Sequence, residues 1–358
     1  MHIDSRAALL RDRLRGMLVA AAATPMTAAG EVDLDLADAY LRGLVADGAD
    51  ALAVLAHTGR GPFLTPEVRA GLIGRAVATG VPVVVGVGGS PGTAGAGGPS
   101  GAEGAGGSPA ADPGTAAGAD AALARMVAEA RTAADLGADA VLVFPADDPV
   151  AAHDAIWRST GLPMIAFDLY VRPYPADVLR RVVGHPGVAG LKTALLSDAM
   201  GCQEAIALTR AAGRLAITGE DRMFGPSLLW GAEAALVGIA AARVEVTAEV
   251  LRAFTGSDLR RFEWASARLD RLAAATFTEP MEGYVQRMLW LAAAEGRIPD
   301  SHAHDPYGPG LAEDRELLVA GERHVRSRTE EAGDLSAGLL GEGRLPATGR
   351  TGSSATSP

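Results

Sequence analysis

Short apolar runs alternate along this chain with longer segments whose apolar positions recur every three or four residues. The first run, Met17 to Ala22, reads as a strand. Ala37, Tyr40, Leu41, Leu44 and Val45 then keep helical spacing, and Gly48 stops that helix. Ala51 to Leu55 is a second strand. Thr65-Pro66-Glu67 opens a helix with a capping hydroxyl, a proline in the first turn and an acid at the positive dipole end. Gly80 ends it, and Pro82 to Val87 is a third strand. After a break, helices are predicted near 119–136, 150–159, 176–183, 197–212, 222–230 and 246–254. Strands are predicted between them at Ala140 to Phe144, Pro163 to Phe167, Gly187 to Ala194, Ala216 to Thr218 and Ala234 to Gly238. Eight such units predict an α/β protein, a closed parallel TIM (β/α)8 barrel with additional C-terminal helices.

Four parts are expected: an N-terminal helix within 1–15, the barrel over 16–255, C-terminal helices over 256–326 and a disordered tail at 327–358. The two outer helices, near 258–275 and 280–295, carry apolar stripes. Residues 88–118 are almost entirely Gly, Ala, Ser and Pro with no apolar period. They read as an insertion in the barrel rather than a domain boundary, because the alternation resumes after them and long loops close at little extra entropy.

The totals narrow the function classes. A chain of 358 residues suits one barrel with additions. With 48% hydrophobic and only 4% aromatic residues, the core must be mostly Ala, Val and Leu. A net charge of −11 argues against nucleic-acid and membrane partners. Cys202 is the one cysteine, so no intrachain disulfide can form and a reducing compartment fits. No apolar run approaches the roughly 20 residues of a membrane span. Arg11 to Arg15 followed by an apolar stretch has the outline of a signal peptide, but the stretch is short and reads better as the first strand. A cytoplasmic setting is expected.

Of the 32 Lys plus Arg residues, one is lysine: Lys192, in Gly187-Val188-Ala189-Gly190-Leu191-Lys192-Thr193-Ala194. Arginine supplies charge and hydrogen bonds but no nucleophile. A desolvated lysine gives a neutral amine able to form a Schiff base. Strand C-terminal ends are where such barrels carry catalytic groups. The same rim receives His57-Thr58-Gly59-Arg60 after strand two and Asp168-Leu169-Tyr170-Val171-Arg172 after strand five. Glu220-Asp221-Arg222 follows strand seven. An amine, a histidine, hydroxyls, arginines and acids on one rim suit a small anionic oxo acid. Alternative readings are compositional drift that spared Lys192 by chance, a hydrogen-bonded rim residue at His57, plain turn chemistry at Thr58-Gly59, an Arg172–Asp168 pair, and a helix N-terminus at Glu220-Asp221-Arg222. His302 and His304 fall in a polar tail segment, and no other histidines have metal-ligand spacing. Neither a metal nor a cofactor is expected.

Together these stretches resemble the dihydrodipicolinate synthase / N-acetylneuraminate lyase family of Schiff-base barrel enzymes. The matching pieces are Ala22-Ala23-Thr24-Pro25, Gly30-Glu31-Val32-Asp33 and Leu55-Ala56-His57-Thr58-Gly59. Gly86-Val87-Gly88, Gly137 to Val143, Gly190-Leu191-Lys192 and Gly219-Glu220-Asp221 continue them. The resemblance covers about 16–255. It implies that Lys192 forms an imine with pyruvate or another 2-oxo acid, and that the chain is a homo-oligomer, a dimer or tetramer. It also exposes departures. The family usually shows Gly-Thr-Thr-Gly-Glu where this chain has Ala56-His57-Thr58-Gly59-Arg60. The family's strand-five tyrosine, a proton shuttle, falls on Phe167, and its tyrosine pair after strand four falls on Asp147 and Asp148. The family arginine after strand five matches at Arg172.

The expected site is therefore Lys192 with His57 and Tyr170 as catalytic candidates, and Thr58, Gly59, Arg172 and Glu220 as substrate-binding candidates. The expected function is a lyase or aldolase acting on a 2-oxo acid, without true 4-hydroxy-tetrahydrodipicolinate synthase activity. The alternatives are a non-catalytic relative that binds an oxo acid or sugar acid, and a keto-deoxy sugar acid dehydratase.

Overall fold

Small apolar residues close this barrel. Its strands are Leu18–Ala21 (β1), Ala51–Val54 (β2), Val83–Val87 (β3), Ala140–Val143 (β4), Met164–Leu169 (β5), Val188–Ala194 (β6), Leu215–Thr218 (β7) and Ala234–Val237 (β8). Every strand residue is buried, as parallel strands covered on both faces require. Neighbours pair in sequence order, and β1 pairs with β8 through Leu18↔Ala235 and Val19↔Leu236, so no edge remains. The computed structural model describes residues 2–89 and 116–311, with 315, 316 and 318. The stretch to Arg315 is one unit, and Glu316–Pro358 a second. Most of the insertion at 88–118 and all of the tail at 327–358 lie outside the described residues.

The helices of the repeat are Leu34–Ala46 (α2), Pro66–Val77 (α3), Ala116–Asp135 (α4), Pro149–Thr160 (α5), Ala176–Gly184 (α6), Ala199–Ala211 (α7), Phe224–Leu229 (α8) and Val244–Thr255 (α9). Their starts follow local chemistry. Thr65 caps α3 by accepting from Val68 N–H with Pro66 in the first turn, and Asp33, Asp148 and Asp198 cap α2, α5 and α7. The leading helix Ser5–Leu14 (α1) adds Ala7, Leu10 and Leu14 to the apolar cluster that fills the barrel. Among the described residues, no helix is long and apolar enough to cross a membrane.

Leu259–Thr276 (α10) and Tyr284–Ala294 (α11) follow. Between them, a 3-10 turn at Met281–Gly283 crosses to the mouth of the barrel. His302 and His304, expected in a polar tail segment, lie after α11 on a segment tied by backbone hydrogen bonds to the loop after β1. Met26 N–H donates to His302 C=O at 3.0 Å, and His304 N–H donates to Met26 C=O at 3.3 Å. Ile298 and Ala303 are buried there, and the Tyr307 ring stacks on Phe63 at 4.6 Å. Scattered apolar anchors, too few to make a period, hold this return segment.

Candidate active site

Lys192 lies two residues inside β6 rather than at its last position, because Asp168 and Leu169 extend β5 and pair with Thr193 and Ala194. Its side chain is 5% exposed, and Nζ rests 4.1 Å from the centre of the Phe167 ring. Burial pulls the amine below the ordinary lysine value, while Asp221 and Glu220 oppose that pull. Gly219 on the next strand end gives the lysine its room. A Cβ there would come within 2.4 Å of Lys192 Cε and of Thr193 C=O.

The two acids after β7 do not serve the α8 dipole. Glu220 accepts from Leu195 N–H at 2.7 Å and Leu196 N–H at 2.9 Å, and Asp221 accepts from Ile239 N–H at 2.7 Å. Both carboxyls are pushed up by burial. Asp221 lines the same cavity as Lys192, whereas Glu220, expected to bind substrate, is outside that lining and holds its carboxylate on the Leu195 and Leu196 amides. That cavity encloses about 370 Å³, counting the space open to solvent. His57, Thr58, Tyr170 and Tyr284 supply its polar wall, and Phe167, Phe277 and Met281 its apolar one.

The loop after β2 is wound tightly. Leu55 and Arg60 both have left-handed backbones, with φ of 59° and 52°. A Cβ at Gly61 would come 2.2 Å from Leu55 C=O, and one at Gly59 3.0 Å from Leu55 N. Thr24 Oγ1 donates to Gly59 C=O at 2.7 Å. This winding turns His57 and Thr58 to the cavity and sends Arg60 into the protein, 1% exposed.

Arg60 there binds two acids from the far end of the chain. Its Nη2 reaches Asp305 at 2.7 Å and its Nη1 reaches Glu282 at 2.9 Å. Glu282 also receives His57 Nε2 at 2.9 Å and the Tyr170 hydroxyl. Hydrogen bonds from His57 and the nearby Arg60 hold its carboxyl well below the usual range against desolvation. Burial and this carboxylate push the Tyr170 phenol far up. Thr58 Oγ1 and the Tyr284 hydroxyl share a hydrogen bond of 3.1 Å.

Of the residues expected from the sequence, Lys192, His57, Tyr170 and Thr58 meet at one cavity. Gly59 lies outside its lining and serves the turn. Arg172 is 43% exposed and pairs with Asp147 at 2.7 Å, not with Asp168. Asp168 instead accepts from Tyr174 N–H at 2.8 Å. Glu282, Tyr284 and Asp305 had no sequence signal, since they follow α10 without a motif. Asp221 had one, its place beside Glu220 after a strand. Among the described residues, no three His, Cys, Asp or Glu side chains are grouped to hold a metal ion.

The Dihydrodipicolinate synthetase family model matches residues 14–103. The 4-hydroxy-tetrahydrodipicolinate synthase of Bifidobacterium animalis subsp. lactis is 27% identical over 264 residues, 71% of this chain and 76% of that protein. Synthase 1 of Streptomyces coelicolor is 26% identical over 292 residues, 78% of this chain and 84% of that one. Among solved structures, the Acinetobacter baumannii dihydrodipicolinate synthase with pyruvate superposes with a TM-score of 0.69 at 19% identity, covering 87% of this chain and 98% of that one. The N-acetylneuraminate lyase of Mycoplasma synoviae gives 0.67 at 14%, covering 88% and 98%.

Proposed function

We propose, on the premise that this chain is a divergent member of the dihydrodipicolinate synthase / N-acetylneuraminate lyase family, that it is a Schiff-base lyase or aldolase acting on a 2-oxo acid. The observation that carries this reading is the chain's one lysine, buried at the mouth of the barrel with its amine pulled toward the neutral form. Neutral Lys192 Nζ attacks the ketone carbon, water leaves, and an iminium forms. The iminium draws in the electron pair of the neighbouring C–C or C–H bond, giving an enamine. In C–H loss a base takes that proton, and in C–C cleavage it takes the hydroxyl proton of the departing carbon, which leaves as an aldehyde. The enamine carbon then regains a proton, and water hydrolyses the iminium to return the amine. The Thr58–Tyr284 hydroxyl pair faces the same space and suits the substrate carboxylate. Arg172 is left out of this role because it pairs with Asp147 outside the cavity.

Phe167 has no proton to give, so the relay usual in the family is missing, and His57 or Tyr170 takes its place. A true 4-hydroxy-tetrahydrodipicolinate synthase is therefore not the reading. An outer chamber joins the cavity at Tyr170, Leu196 and Met281 and adds Ser197, Asp198 and Arg222. Its polar wall suits a substrate longer than pyruvate and favours a second reading, dehydration of a keto-deoxy sugar acid. A homo-oligomer, dimer or tetramer, completes the proposal.

Borohydride reduction in the presence of pyruvate or a keto-deoxy sugar acid tests it. A stable adduct is expected on Lys192, and none in Lys192→Arg. Absence of an adduct with every oxo acid tried defeats the proposal. A product screen separates C–C cleavage, which releases an aldehyde, from dehydration, which releases only water.

A further inference from the structure

Two candidates for the lost proton shuttle, His57 and Tyr170, are bound to the same carboxylate. Glu282 receives His57 Nε2 at 2.9 and 3.1 Å on its two oxygens, Arg60 Nη1 at 2.9 Å and the Tyr170 hydroxyl. A carboxylate that accepts three such donors has no proton to share, so each partner must be the donor. His57 then carries its proton on Nε2. Its Nδ1 makes no hydrogen bond among the described residues, and the ring lines the lysine cavity. The Tyr170 hydroxyl, in contrast, points its proton at Glu282. We propose that Glu282 is a positioning residue that fixes His57 in the Nε2–H tautomer, leaves Nδ1 as the base of the reaction, and withholds the Tyr170 proton from it.

This inference rests on the Schiff-base reading and adds to it the choice of base. The carboxylate comes from the turn between α10 and α11, which Arg60 anchors through both Glu282 and its backbone carbonyl, 3.1 Å from Nη2. A base on the β2 loop, oriented by an acid from the C-terminal turn, thus takes over the role that the resemblance gives to a strand-five tyrosine. With pyruvate bound as the iminium, Nδ1 takes a proton from the methyl carbon, the C–H pair becomes the enamine double bond, and the imidazolium returns a solvent proton to that carbon. No electron donor or acceptor is needed.

The full-length protein in deuterated water provides the test. Exchange of pyruvate methyl protons, followed by NMR, needs both the iminium and the base. Borohydride trapping needs the iminium alone. Glu282→Ala is expected to slow exchange by about 10- to 100-fold while trapping on Lys192 stays within about twofold. His57→Asn is expected to slow it more than Tyr170→Phe does. Nitrogen-15 spectra of labelled histidine in the free protein should show His57 with the proton on Nε2, and a tautomer mixture in Glu282→Ala. Should that variant not fold, Glu282→Gln serves with the same readouts.

An Nδ1–H tautomer in the wild type overturns the proposal. So does unchanged exchange in the variant, or trapping that falls in step with exchange. If wild-type Lys192 traps nothing, the Schiff-base reading falls by itself, and the tautomer spectrum still decides the role of Glu282.

Discussion

Replacing Arg60 by Met keeps the length of the side chain and removes its charge. Arg60 and the Asp305 side chain are buried, at 1% and 0% exposure, and two guanidinium nitrogens reach the carboxylate at 3.2 and 2.7 Å. Removing one partner of a buried pair leaves the other charge uncompensated, a loss of about 3–5 kcal/mol. The upper half of that range is expected here, because among the described residues Asp305 then keeps one backbone donor, Tyr307 N–H at 3.3 Å. Glu282 loses less, since His57 and Tyr170 still donate to it. Urea unfolding measures this as a lower midpoint at unchanged slope. Adding Asp305→Asn to Arg60→Met removes the orphaned charge, so the pair should show a coupling energy of about 2 kcal/mol or more in a double-mutant cycle. A loss under about 1 kcal/mol for Arg60→Met, or additive single effects, would refute the argument that this contact is shielded from water.

Gly219→Ala should abolish trapping on Lys192 by displacing Cε, which a Cβ there would approach to 2.4 Å; a variant that traps as the wild type does contradicts the packing argument. Trapping rate should rise with pH and level off below the ordinary lysine value near 10.4, since burial has lowered the amine; a rate still climbing past that pH shows an unperturbed lysine. Asp168 is pushed from 3.8 to about 6, mainly by burial, so the folded protein holds its proton over that window and loses stability as pH rises through it. Asp168→Asn should therefore be the more stable form at pH 8, by about 3 kcal/mol at most, with no difference below about pH 4. Melting curves at both pH values decide it, and equal differences at the two would be against it.

The alternation of small apolar runs with helical spacings was enough to predict eight units and a closed barrel, because parallel strands buried on both faces read as continuous apolar runs and eight such units close without leaving an edge. Caps such as Thr65 were equally local and equally readable. The lone lysine was legible by contrast with its arginine background, since charge alone would not have required an amine. The destinations of polar side chains were not legible. Arg172 carries the same sequence signal as His57, yet the turn after β5 leaves it outside with Asp147. Arg60 meets Glu282 and Asp305 across 222 and 245 positions of sequence. Neither acid sits in a motif, and no local pattern states which loop a C-terminal turn will cover. Periodicity is a property of neighbours along the chain, and so the sequence by itself determined the barrel and singled out the lysine proposed as its nucleophile. Which carboxylate meets His57 and Tyr170 depends on how the turn between the last helices packs across the mouth, and only the tertiary structure decided that.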